Sequence, residues 1–118
     1  VLGFAMCALG AGLLLVGFAQ SNAALLMAGA LAGAGHGYTF PILLGMVVTR
    51  AERGERGAAL AIFTALFDTG TLIGGPLLGA IVESLGYRWM FATAAALAAS
   101  GFLALMAIDR RVLLGAPR

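Results

Sequence analysis

Asp68 is out of keeping with its neighbours. It is the only charged residue between Gly57 and Val82. A carboxylate in such a run can take up and release a proton, accept hydrogen bonds from a ligand, or tie one helix to another. Thr64, Asp68, Thr71 and Gly75 follow i, i+4, i+7, i+11 and share one stripe of a helix. His36, the only histidine, lies in "GAGHGYTFP" with Tyr38, Thr39 and Phe40 beside it. His36 is the second candidate for a protonatable site. Two roles for Asp68 stay open on the residues alone. It either lines a water-filled cavity, or it hydrogen-bonds a neighbouring helix and fixes its register. The same choice between cavity and packing applies to His36, Tyr38 and Thr39.

Other chemistries lack parts. One histidine, one cysteine and scattered acids do not assemble a zinc or di-metal site, so no metal and no cofactor are expected. Ser21, Ser84 and Ser100 have no histidine at matching depth, which argues against a nucleophilic triad. Cys7 is alone and forms no internal disulfide. No strand precedes a phosphate-cradling glycine loop. The chain is not expected to be an enzyme.

The elements that position these residues follow from composition. Of 118 residues 62% are hydrophobic, and 18 more are glycine, while only 10% are charged. Soluble domains carry roughly a quarter charged residues, and a domain this small cannot bury so much apolar surface. The expected solvent is a lipid bilayer. No Asp, Glu, Lys or Arg occurs from Val1 to Thr49, or from Trp89 to Ile108. One helix over the first 49 residues would run about 73 Å, far beyond the roughly 30 Å hydrocarbon core. It must fold back, and Gln20-Ser21-Asn22 is the polar cluster where it does so. The reading is all-α: four transmembrane helices over about 1–19, 23–49, 57–82 and 87–108, with a tail over 109–118.

Seven arginines and no lysine supply the positive charge. They do not form one solvated basic face, so no nucleic-acid partner is expected. Arg50, Arg53 and Arg56 with Gly57 lie in the loop between the second and third spans, and Arg110, Arg111 and Arg118 in the tail. Arg88 alone has the opposite parity. The positive-inside rule then puts the basic loop and both ends in the cytoplasm. Asp68 lies 12 residues past Arg56, about 18 Å deep, and His36 lies 14 before Arg50, about 21 Å deep. Within one turn the two are level.

Small residues permit close backbone contact in lipid, where apolar side chains give little reason to associate. Gly29, Gly33 and Gly37 form one such row, and Gly70 with Gly74 and Gly75 with Gly79 form two more. These rows are expected to pack helices. Pro41 and Pro76 lie inside spans and are expected to kink them. Tyr87 and Trp89 suit an aromatic belt at the outer interface.

The run from Gly33 to Phe91 resembles the end of a major facilitator superfamily transporter. The parts occur in order: "GAGHGYTFP", a short basic loop ending in Arg56-Gly57, "AALAIFTALFD", "GGPLLG" and a closing "GYRWMF". The resemblance is to the ninth to twelfth helices of bacterial drug- or sugar-efflux-like members, which makes the chain part of a six-helix half-bundle. "GGPLLG" is also similar to a motif of the fifth helix; the short basic tail after the fourth span favours the C-terminal half. The family's "GxLaDrxGRR" loop would lie upstream of Val1, which is not an initiator methionine, so a longer protein is expected.

The resemblance implies a proton-coupled carrier of the bacterial inner membrane that moves a small molecule by alternating access. It implies that His36, Tyr38, Thr39 and Phe40 line the central cavity and that Asp68, with Thr64 and Thr71, faces it. The expected partners are the lipid bilayer, the remaining helices of the same carrier, a small-molecule substrate and protons. Two other readings compete. One is a complete four-helix transporter acting as a dimer, like the small multidrug resistance proteins, although residues 1–19 lack the acid those proteins carry in their first span. The other is a membrane anchor or structural subunit, in which Asp68 only packs.

Overall fold

The computed structural model describes the backbone of residues 2–115 and the side chains of residues 2–109. The arginines at 110, 111 and 118 therefore lie outside the described side chains. Four helices account for almost all of it: α1 (Leu2–Phe18), α2 (Asn22–Arg50), α3 (Arg56–Leu85) and α4 (Tyr87–Gly115). No strand occurs among the described residues. The fold is all-α. α4 continues through Gly115, so the expected tail over 109–118 begins as helix. The apolar run ends near Asp109, but the backbone hydrogen bonding does not.

The punctuation is local. Ser21 caps α2, its Oγ accepting from the Ala24 amide at 3.2 Å and satisfying one of the orphan donors of the first turn. A single residue, Gly86, joins α3 to α4 with φ of +88°, a conformation open to glycine but strained for a side chain. α2 runs on through Pro41, and α3 through Pro76. Hydroxyls inside the helices bond back to the preceding turn, as Thr69 Oγ1 does to the Ala65 carbonyl at 2.7 Å. In lipid that is the partner always at hand.

The helices form a ring in chain order. α1 packs along α2 and α4, and α3 closes the ring more loosely against α4 and α2. Across the diagonals the described backbones do not approach. Among the described residues the core is almost absent: Ala5, Ala28 and Ala95 are its buried apolar side chains, and no large side chain is fully buried. Phe4, Met27 and Leu72 are each at least three-quarters exposed. Water would not tolerate an apolar surface of this extent on a monomer; hydrocarbon does. α2, α3 and α4 are each long and apolar enough to cross a bilayer, and α1 is a shorter apolar helix. The bundle is 53 Å long, which exceeds the 40–45 Å of a bilayer with its headgroups.

The glycines that bring helices together differ from the rows expected. Among the described residues, and their own helix backbone aside, nothing lies within 4 Å of a Cβ placed on Gly29, Gly33, Gly37, Gly70, Gly74, Gly75 or Gly79. A Cβ on Gly12 would collide with the Ala32 backbone, and one on Gly35 with the Leu9 backbone. The α1–α2 seam is thus backbone against backbone at two reciprocal points. Within these four helices the regular glycine rows face open space, because the mating surface is set by where two helices cross rather than by spacing along one.

Candidate functional site

His36, Phe40 and Leu43 project from one face of α2, as i, i+4, i+7 spacing requires. They open onto a cleft of about 620 Å³ whose other walls are Phe63, Leu66 and Phe67 of α3 and Gly101 of α4. A cavity of about 370 Å³ adjoins it among all four helices, and His36, Thr39, Leu43, Phe67 and Gly101 line both. Among these shared residues His36 carries the imidazole and Thr39 the hydroxyl; the remainder is apolar.

The aromatic groups hold α3 to α2. The Phe40 ring lies 5.1 Å from that of Phe67 at an interplanar angle of 68°, and 5.8 Å from that of Phe63 at 46°. Edge-to-face rings at such separations attract through their quadrupoles. Phe63 and Phe67 were missing from the sequence-based site. Their i, i+4 spacing in "AIFTALFD" is the signal that marks them as one face.

Thr39 and Tyr38 go elsewhere. Thr39 is buried, and its Oγ1 donates to the Gly35 carbonyl at 2.7 Å and lies 3.7 Å from Met6 Sδ of α1. Its hydroxyl is engaged in the α1–α2 seam even though the residue borders the cleft. Tyr38 is two-thirds exposed and lines a shallow groove with Phe4, Ala8 and Leu31 on another side of α2. The structure does not bring it to His36.

Asp68 is exposed on α3, as are Thr64, Thr71 and Gly75. It follows Phe67 by one position, so it points about 100° away from the cleft, and it is not among the cleft's lining residues. Thr71 Oγ1 bonds back to the Phe67 carbonyl at 3.1 Å. No hydrogen bond or ion pair to the Asp68 carboxylate is made among the described residues. His36 and Asp68 are therefore not joined directly. A carboxylate at the centre of a lipid-spanning helix costs on the order of 2.5–3.5 kcal/mol on insertion scales, so the stripe that carries it needs a polar partner or water.

Among the described side chains the basic loop is tied at one point. Arg50, in the last turn of α2, pairs with Asp109 of α4 at 2.7 Å. Arg53 lies in the turn that follows, and Arg56 and Gly57 open α3.

Fold and site together define a multi-pass, all-α membrane protein with a carboxylate in a spanning helix and a histidine in an interhelical cleft. The sequence comparisons then give the family. The model of the Major Facilitator Superfamily matches residues 1–116. An uncharacterized MFS-type transporter of Burkholderia mallei is 36% identical over 91 residues, which are 77% of this chain and 22% of that protein. One of Salmonella typhimurium is 35% identical over 98 residues, 83% of this chain and 25% of that protein. The chain thus spans about a quarter or less of the length of these relatives. No solved structure matches it. The chain belongs to the Major Facilitator Superfamily.

Proposed function

We propose that this chain is part of a secondary active transporter of the bacterial inner membrane. It moves a small molecule by alternating access, coupled to protons, and Asp68 is the group that takes up and releases them. One observation carries this reading: Asp68 is exposed in the middle of a 30-residue apolar helix with no partner among the described residues. A carboxylate on an exposed helical stripe is costly in lipid, and a hydrated path along that stripe relieves the cost. Thr64 and Thr71 extend that stripe, and His36 with Phe40 offers a second polar and aromatic surface on α2. The relatives are named as MFS-type transporters, in keeping with this reading.

The test uses the complete carrier in vesicles, with substrate-induced proton flux read over a panel of small molecules and a range of pH. Asp68→Asn is expected to abolish proton-coupled flux while the protein still inserts. Unchanged flux with an unchanged pH profile overturns the assignment.

A further inference from the structure

At the end of the bundle where α1 turns into α2 and α4 begins, a groove of about 680 Å³ runs between α1 and α2. Leu15, Phe18, Met27 and Leu31 form its sides, and Ala28, itself buried, lies at its base. Gln20 is the one lining residue with a polar side chain. Along α2 the groove extends from Ala24 to Leu31, about 10 Å at 1.5 Å per residue. That is roughly a third of the hydrocarbon thickness.

Phe18 connects this groove to a charge. Its ring is one wall, and the Arg88 guanidinium lies over that ring, 4.8 Å from the centroid. Arg88 is exposed and has no carboxylate within ion-pair distance among the described residues. It stands beside Tyr87 and Trp89, the aromatic residues suited to the membrane interface. The arrangement is an apolar slot lined in part by an amide, with an unpaired cation stacked on one of its walls. A molecule complementary to it has the same layout, an acyl chain ending in a negatively charged headgroup.

We infer that the α1–α2 groove is a binding site for an anionic phospholipid of the surrounding bilayer. One acyl chain lies between Phe18 and Leu31, and the headgroup phosphate pairs with Arg88 within reach of the Gln20 amide. The cation–π contact holds the guanidinium against Phe18, one wall of the groove, from where it can reach a phosphate. The small residues of the base leave room for the chain.

The test is native mass spectrometry of the protein after exposure to vesicles of equal phosphatidylglycerol and phosphatidylcholine. Phosphatidylglycerol is expected to be retained about five-fold over phosphatidylcholine, the ratio one interfacial arginine supplies. Arg88→Lys keeps the preference, and Arg88→Gln brings the two lipids to parity. Ala24→Phe, at an exposed position that lines the groove, lowers retention of both lipids without changing the melting temperature. The inference is overturned by retention of neither lipid, which would mean that other protein covers the groove. It is equally overturned by a preference that survives Arg88→Gln, or by full retention in Ala24→Phe.

Discussion

Arg50 Nη2 and Asp109 Oδ1 stand 2.7 Å apart and join α2 to α4, two helices whose backbones do not otherwise approach. The pair crosses a diagonal of the ring at the end where the α2–α3 turn lies. Arg50 also sits in the last turn of α2, where a cation complements the helix dipole. Both side chains are partly open, 56% and 31% exposed, which limits what the contact contributes.

A double-mutant cycle on this pair therefore has a bounded outcome. Arg50→Gln and Asp109→Asn are each expected to destabilise, with a coupling energy of about 0.2–1 kcal/mol that shrinks as salt is raised. Thermal unfolding in detergent at two salt concentrations measures it. Exchanging the charges, Arg50→Asp with Asp109→Arg, should recover the coupling but not the dipole contribution.

The α1–α2 seam makes a sharper prediction. Gly35→Ala puts a methyl against the backbone of Leu9, and Gly12→Ala puts one against Ala32. Backbone atoms cannot rotate away, so the helices must separate, at a cost of about 1–3 kcal/mol. Gly33→Ala has open space instead and removes a residue that weakens helices by about 1 kcal/mol. Melting temperatures should fall for the first two and hold or rise for the third.

Asp68 separates function from stability. Asp68→Leu removes a carboxylate from an apolar helix and is expected to favour insertion by about 2.5–3.5 kcal/mol on insertion scales, while abolishing proton-coupled flux. An acid that fixed helix register would give the opposite result, a protein less stable than the parent. Insertion efficiency and melting temperature, measured beside transport, decide between them.

The aromatic cluster should behave as a unit. Replacing Phe40 and Phe67 by leucine singly and together is expected to show a coupling of about 0.5–1.5 kcal/mol, because their rings meet edge to face. Additive effects would mean that Phe40 and Phe67 contribute to stability independently.

Most of the architecture was legible in the residues. The expected spans differ by one residue from both ends of α1 and α2 and from the start of α3, and coincide with the start of α4; α3 ends three residues later than expected and α4 seven. Charge-free runs mark hydrocarbon, and Ser21 and Gly86 lie at two of the breaks. The candidate site was only partly legible. His36 and Phe40 share a cleft, but Thr39 turns into the α1 seam, Tyr38 lies on another side, and Asp68 stands apart. Estimating depth along two helices aligned His36 with Asp68 and said nothing about rotation.

Solvent explains the division between sequence and tertiary structure. Hydrocarbon leaves an isolated peptide group no partner outside its own helix, so a long uncharged run dictates a helix and its length without knowledge of its neighbours. Pairing is another matter. In a bilayer the residues that face lipid and those that face another helix are both apolar, so periodicity does not distinguish the two faces. Only the crossing of α1 and α2 decided that Gly12 and Gly35, rather than the regular glycine rows, would meet a backbone. Likewise only the packing of α3 against α2 decided that Phe67, and not its neighbour Asp68, would face His36.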